Sequence, residues 1–304
     1  MTPATLFLIF NRPEKTRTIF ETIRQARPKR LYVAADGPRT AGEADLCART
    51  RAIVEAVDWP CEVQTLFRDE NLGCGLAVST AINWFFENEH EGIILEDDTK
   101  VDPSFFTFAA EMLERYRDDP RVTTISACNL LPDEFAPRES YYFSSFCHIW
   151  GWASWRRAWD HYDFELSALD SPAAARAISD MNPTPGSFGH WMRTLVSVQT
   201  GDIDTWDYQW MFAQWLQQGL TITPQLNMVQ NIGFDSSATH TTNVDAYEAK
   251  LRAKPLPWPL VHPDEVKRDA KADDYETRNI LGIRPPSFAK RIKRWLQGDK
   301  TAWF

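Results

Sequence analysis

Apolar runs alternating with amphipathic stretches organise the first 130 residues. Ala4–Phe10 (ATLFLIF) is almost continuously apolar, the pattern of a strand covered on both faces. Asn11 and Arg12 follow as cap residues, with Pro13 in the first turn of a helix that turns Ile19, Phe20 and Ile23 inward. Leu31–Ala35 reads as a second strand, ended by the turn Asp36-Gly37-Pro38, and a helix is predicted over 43–57. Val63–Phe67 is a third strand. Asn71-Leu72-Gly73 opens a long helix with Val78, Ala81, Ile82, Phe85 and Phe86 on one face. Gly92–Leu95 is the fourth strand, Asp102 caps a helix that begins at Pro103, and Val122–Ala127 is the fifth strand. This alternation predicts an α/β fold with a mostly parallel sheet and right-handed crossovers.

After about residue 140 the pattern changes. Tyr141–Phe146 fits another strand, and aromatic helical segments are expected at 150–160, 187–200 and 206–218, with a Pro/Gly/Asn-rich loop at 182–189. From 252 the chain is proline-rich and reads as an arm over the body. The expected division is therefore 1–140, 141–250 continuous with it, and a C-terminal arm over 251–304. In that arm Phe288, Ile292, Trp295 and Leu296 form one helical face ringed by Lys290, Arg291, Lys293 and Arg294. Such a helix at 287–296 suits peripheral contact with an anionic membrane or docking on an acidic protein.

Composition narrows the partners. Against 33 basic residues stand 42 acidic ones, a net charge of −9, which speaks against a nucleic-acid partner. No apolar run approaches the roughly 20 residues that span a bilayer. The N-terminus enters a strand directly, without the pattern of a secretory signal. Cys47, Cys61, Cys74, Cys128 and Cys147 are scattered, with no C-x-x-C pair; this argues against a zinc site and for a reducing compartment. The expectation is a cytoplasmic protein, with peripheral membrane contact through 287–296 as one of the two readings of that helix.

The densest chemical signal is Ile93-Ile94-Leu95-Glu96-Asp97-Asp98, three carboxylates leaving a buried strand with no turn residue between. Adjacent acids repel one another unless a cation or donors offset them, and oxygen ligands suit Mg²⁺ or Mn²⁺ shared with phosphate. A solvated loop with a helix cap is the competing reading, though Asp102 already supplies that cap. Three other polar strand ends, Asn11-Arg12-Pro13, Asp36-Gly37 and Arg68-Asp69-Glu70-Asn71, fall on the same sheet edge, where open α/β sheets bind ligands. Each alone also fits a turn or surface ion pair. Gly73-Cys74-Gly75 opens a helix, but Val78 stands where the dinucleotide fingerprint needs Gly or Ala, which disfavours an oxidoreductase. Cys147 and His148 are sequence neighbours and read as packing.

Of the 13 tryptophans, eight lie between Trp150 and Trp215. Trp152, Trp155 and Trp159 recur at helical spacing, so core packing accounts for some. Trp150 and Trp152 flank Gly151 and fit either the core or the wall of a sugar site. Trp206 and Trp210 share a face of the next helix. Asp207, in its first turn, is a candidate general base, with Asp204 either its helix cap or a rival. The stretch Asn231–Thr241 carries Ser236, Ser237 and His240 and fits a loop closing over a diphosphate, or a plain surface loop.

These residues converge on a family. The chain resembles the GT-A fold nucleotide-sugar glycosyltransferases, and among them the N-acetylglucosaminyltransferase I type. The likeness runs through Asp36, the helix into Ile94-Leu95-Glu96-Asp97-Asp98, Asp102-Pro103-Ser104-Phe105-Phe106, Gly151-Trp152, Trp206-Asp207 and Gly233–Ser237, over roughly residues 4–240. It implies a Rossmann-like GT-A fold in which 1–140 binds a nucleoside-diphosphate sugar, UDP-sugars favoured, and the aromatic half binds a carbohydrate or glycolipid acceptor, as in polysaccharide biosynthesis. Asp98 would coordinate Mn²⁺ or Mg²⁺, and His240 is a further candidate ligand. Asn11, Arg12, Asp36, Arg68, Glu96, Asp97, Ser236 and Ser237 would contact the nucleotide sugar, and Trp150, Trp152 and Trp206 the acceptor. Asp207 would be the base of an inverting transfer. In the family a Trp-Asp-Asp segment carries that base, whereas Tyr208 follows Asp207 here, and the separation between Trp152 and Trp206 is longer than the family's. The alternatives are a sugar-phosphate nucleotidyltransferase, which usually has a Gly- and basic-rich opening loop absent here, and a non-enzymatic carbohydrate-binding protein.

Overall fold

A computed structural model describes residues 2–135, 137–234 and 247–284. Its strands are β1 (Thr5–Ile9), β2 (Arg30–Ala35), β3 (Glu62–Phe67), β4 (Glu91–Glu96), β5 (Thr99–Val101), β6 (Val122–Ser126), β7 (Tyr141–Ser144), β8 (Trp152–Trp155), β9 (Leu220–Pro224) and β10 (Val229–Asn231). Eight of them form one sheet in the order β3-β2-β1-β4-β8-β6-β9-β7, and β10 pairs with β5 in a small antiparallel ribbon. The pairings β3-β2, β2-β1, β1-β4 and β6-β9 are parallel, and only β8 and β7 run against the rest. This is the mostly parallel α/β sheet that the sequence predicts. Residues on either side of 140 share it, because β8 is inserted between β4 and β6.

Alternation along each buried strand divides the apolar side chains between two layers. Phe7 and Ile9 of β1, Leu31 and Val33 of β2, and Ile93 and Leu95 of β4 face one core. Helices α1 (Pro13–Ala26), through Ile19, Phe20 and Ile23, and α4 (Ser104–Arg115), through Phe105, Phe108 and Met112, cover that side. Helix α2 (Ala44–Arg51) also packs along α1. Leu6, Leu8, Tyr32, Ala34 and Ile94 face the other layer, beneath α3 (Cys74–Asn88) with Ala81, Ile82, Phe85 and Phe86. Asp102 caps α4 as expected, accepting from Ser104 N at 2.9 Å. At the start of α1 neither expected cap acts: Arg12 makes no side-chain cap bond, and Asn11 Nδ2 donates instead to Glu43 Oε1 at 3.0 Å.

The segment 150–160 departs from the expected helix. Trp152–Trp155 is strand β8, followed by one turn, α5 (Arg156–Trp159). Gly151 takes φ +69, and its carbonyl accepts from Ala127 N at 2.8 Å, so the chain turns there into the sheet. A strand sends Trp152 and Trp155 to opposite faces, and they do lie in different cores. Trp152 is fully buried and stacks on Trp206 with centroids 5.7 Å apart; Trp210 and Trp159 close the cluster at 5.8 and 6.1 Å. Trp152 therefore belongs to the core rather than to an acceptor wall. Trp150 is half-buried and meets the ring of Phe234 edge-on at 5.7 Å. Trp152→Ala is expected to cost about 3–5 kcal/mol of stability, and Trp150→Ala less than about 1 kcal/mol. Urea unfolding of the two variants measures this, and equal losses would put both rings in the core.

Helices α6 (Pro172–Met181), α7 (Ser187–Gln199) and α8 (Asp207–Leu216) complete the second half. Helix α6 is missing from the sequence-based expectation, although Ser171-Pro172 marks its start: Ser171 Oγ accepts from Ala174 N at 3.1 Å.

The C-terminal segment crosses the β7 edge and carries a short helix, α9 (Ala270–Tyr275), continued by a wider turn over Glu276–Ile280. Its Asp273 is buried against β7, accepting from Ser144 Oγ at 2.7 Å and from Ser145 N and Oγ at 3.1 and 2.7 Å. Burial pushes the Asp273 carboxyl up to about 6, against the pull of these donors. The folded state thus holds this proton more tightly than the unfolded chain, whose aspartates titrate near ~4. Its contribution to stability therefore declines as pH rises from about 4 to about 6. Asp273→Asn is expected to lose that slope, so stability of wild type falls relative to the variant across this window. Parallel stability–pH curves for the two would contradict it. Cys147 packs against both cores, and His148 Nε2 stands 2.9 Å from Glu276 Oε1 under the same segment. Among the described residues no helix is long and apolar enough to cross a membrane. The predicted helix at 287–296 lies outside the described residues.

Candidate functional site

The parallel strands deliver their carboxyl ends to one edge, and two cavities open there. The first, about 280 Å³, lies over the ends of β1, β2 and β3. Leu8, Ala34, Ala77 and Val78 form its apolar floor, and Asp36, Arg39 and Arg68 its polar rim. The second, about 390 Å³, lies between the end of β4 and the loop before α8. Glu96, Asp98, Asp207, Trp150, Tyr208 and Phe234 are among its walls. Arg12, Cys74 and Glu96 line both, so the two cavities meet at the acidic strand end.

Arg12 organises that junction. Its Nη1 donates to Asp98 Oδ2 at 2.7 Å and stands 3.4 Å from Asp97 Oδ1. Burial opposes the charge on Arg12, but Asp97, Asp98 and Glu96 together raise its pKa. One guanidinium does not neutralise three carboxylates. Glu96 is half-buried as a residue, yet its Oε1 is covered and, among the described residues, has no hydrogen-bond partner; the same holds for Asp97 Oδ2. Burial, then the charges of Asp98, Asp97 and Asp207, lifts the Glu96 carboxyl well above the usual range. Asp97 is raised to about 7, by burial against the pull of Arg12. Such uncompensated buried oxygens are costly, and they mark where a cation or a hydroxyl donor would be stabilised. Among the described residues, no three His, Cys, Asp or Glu side chains converge as a complete metal cage.

The β5–β10 ribbon then folds the chain back over Asp98. Ile232 N donates to the Asp98 carbonyl at 2.8 Å, and a Cβ at Gly233 would collide with Asp98 Oδ2. Glycine is required here because the backbone lies directly on the carboxylate. Ser236, Ser237 and His240, beyond this point, lie outside the described residues.

Across the cavity, Asp207 opens α8. Its Oδ1 accepts from the Thr205 hydroxyl and from Tyr208 N, the latter at 2.9 Å. Asp204 does not cap this helix. It caps α3 instead, accepting from Cys74 N at 3.1 Å and Gly75 N at 2.9 Å across 130 residues of sequence. The two aspartates are thereby set apart: Asp204 lines the first cavity and Asp207 the second.

Most of the expected site residues come together. Arg12, Asp36, Arg68, Glu96 and Asp97 line the first cavity; Asp98, Asp207, Trp150 and Trp206 line the second. Asn11 lines neither, being tied to Glu43, and Trp152 lies in the core. Trp206 is 2% exposed, so its contribution to a wall is an edge rather than a stacking face. Asp36 accepts from Leu72 N at 3.0 Å and from Gly73 N at 3.2 Å, and so braces the entry to α3 as it lines the cavity. Arg68 Nη2 donates to Thr80 Oγ1 at 2.7 Å; burial lowers its pKa, with Asp36 in partial compensation. Arg39 was not anticipated. Its guanidinium lies 5.2 Å from the centroid of Phe10 and is paired with Glu43. Its signal in the sequence is the one that marked Arg68, a basic residue just past a strand end.

No protein-family model matches the chain, and no curated protein matches it in sequence. Solved structures give distant likenesses. HddC from Yersinia pseudotuberculosis is 12% identical, with a TM-score of 0.33 over 56% of this chain and 86% of that one. A 4-diphosphocytidyl-2C-methyl-D-erythritol synthase from Anaerococcus prevotii is 6% identical, with a TM-score of 0.31 over 53% of this chain and 76% of that one. A Bacillus anthracis protein assigned as a glucose-1-phosphate thymidylyltransferase, solved with sucrose, is 8% identical, with a TM-score of 0.33 over 63% of this chain and 84% of that one. Likenesses this low carry no weight for function; the fold class rests on the strand order and directions above.

Proposed function

We propose that this protein is a divalent-metal-dependent glycosyltransferase that moves a sugar from a nucleoside diphosphate, UDP favoured, to a hydroxyl of a carbohydrate or glycolipid acceptor. The observation that supports it is a single cavity holding a carboxylate, Asp207, apart from the acidic strand end at Asp98, with Trp150 beside them. Transfer to a hydroxyl needs a group that accepts the hydroxyl proton, and a carboxylate held in an aromatic cavity serves that purpose. A sugar phosphate attacking a nucleoside triphosphate is already an anion and needs no such base.

In this reading the nucleoside lies in the first cavity, with Arg39 and Arg68 at its rim, and the diphosphate extends towards Arg12. Asp98 fits as a cation ligand because Arg12 holds its Oδ2 at the cavity wall, and because the neighbouring acids carry oxygens with no hydrogen-bond partner among the described residues. Mn²⁺ or Mg²⁺ bound there would offset the charge of the leaving diphosphate. Trp150 and Phe234 present aromatic surface to a sugar ring. Asp207 takes the acceptor proton as the acceptor oxygen bonds to the anomeric carbon and the bond to the diphosphate breaks, which inverts the configuration.

The second reading, a sugar-phosphate nucleotidyltransferase, is favoured by the three arginines at the first cavity, Arg12, Arg39 and Arg68. Incubation with Mn²⁺ and either UDP-, GDP-, CDP- or dTDP-sugars, or nucleoside triphosphates with sugar 1-phosphates, separates the two. Release of nucleoside diphosphate from a nucleotide sugar supports the glycosyltransferase. Release of pyrophosphate from a triphosphate supports the alternative.

A further inference from the structure

We infer that Asp204 and Thr205 are positioning residues for Asp207, and that Gly73 and Gly75 are the seat that lets them work; this rests on the glycosyltransferase reading. The loop before α8 leads into the proposed base at the helix's first residue, yet its anchorage lies on α3, in the other half of the chain. Asp204 spreads its two carboxylate oxygens over the first amides of α3, Oδ2 on Cys74 N and Oδ1 on Gly75 N. The positive end of the helix favours a carboxylate there. The loop can approach only because α3 begins with glycines. A Cβ at Gly75 would stand 2.7 Å from Asp204 Oδ1 and 2.8 Å from the Thr205 carbonyl oxygen, and one at Gly73 would stand 2.9 Å from Asp204 Oδ2. Gly73 also has φ +82, a conformation side chains rarely adopt.

From this clamp the chain leads directly to Asp207. The Thr205 carbonyl accepts from Gln209 Nε2 at 2.8 Å, which fixes the loop to the first turn of α8. The Thr205 hydroxyl donates to Asp207 Oδ1, the oxygen that also accepts from Tyr208 N. Both donors load Oδ1; among the described residues no hydrogen bond reaches Oδ2, the oxygen assigned to take the proton. The Gly-Cys-Gly start of α3, which fails as a dinucleotide fingerprint, thus has another use: it receives a carboxylate from the chain itself.

The test has two readouts. Turnover is read as UDP released from UDP-N-acetylglucosamine and UDP-glucose with Mn²⁺, and donor-site binding by titration of UDP with Mn²⁺. Thr205→Val is expected to lower kcat by about tenfold or more, as misplacement of a reacting group does. UDP affinity should stay within about twofold, and Thr205→Ser should restore most of the rate. Amide hydrogen exchange at 205–209 supplies the readout independent of turnover: Asp204→Asn is expected to accelerate it while the body of α3 stays protected. The double variant Asp204→Ala/Gly75→Ala should lose no more than the worse single variant, since both break one clamp. Wild-type kcat in Thr205→Val, a Ser variant as poor as Val, or unchanged exchange in Asp204→Asn would overturn the inference. Asp207→Asn is measured in parallel. If it loses turnover while Thr205→Val does not, positioning alone fails; if it keeps full turnover, the base assignment fails and positioning falls with it.

Discussion

Asp98→Ala is expected to cut nucleotide-sugar turnover by roughly 10²–10³-fold or more, the scale on which loss of a group stabilising a leaving charge is felt. Three losses combine in this one change. Arg12 loses its 2.7 Å partner and is left beside Asp97 and Glu96. The proposed cation loses the ligand assigned to it, and the backbone at Gly233 loses the carboxylate it lies against. The Asp98 carbonyl bond to Ile232 N survives, so the β5–β10 ribbon should persist and thermal stability change little. Initial rates with saturating Mn²⁺ measure the effect. Near-normal activity in the variant would refute the role assigned to this carboxylate.

Asp207→Asn is the second large effect. The Asn amide oxygen can still accept from Thr205 and Tyr208, so the loop should hold its shape, but the side chain no longer takes a proton. The expected fall in kcat is about 10²–10⁴-fold, the usual range for a general base. The donor KM should change little, because the cavity proposed to hold the nucleotide is the other one. A large rise in KM with kcat preserved would make Asp207 a binding residue instead.

The parts of this molecule that were legible in its sequence are those fixed by local pattern. A short unbroken apolar run such as ATLFLIF, stopped by Asn11-Arg12-Pro13, fits a strand with cover on both faces, and β1 is buried along its length. The acids after β4 stood out because nothing local explains three adjacent carboxylates at the end of a buried strand. The segment 150–160 was misread as helix for a physical reason: a spacing of three is a shared face on a helix but opposite faces on a strand, and Gly151 had already turned the chain into the sheet. Asp204 could not be read either, since its partners on α3 lie 130 residues away. The abundance of tryptophan is mostly packing, with Trp150 alone half-buried at the cavity.

Isothermal titration of UDP, GDP, CDP and dTDP into the protein, each with and without Mn²⁺, tests the central claim most directly. The account predicts one-to-one binding of at least one nucleoside diphosphate, UDP first, that weakens by about tenfold or more when the metal is withheld. Equal affinity with and without Mn²⁺, or no binding of any of the four, would contradict it.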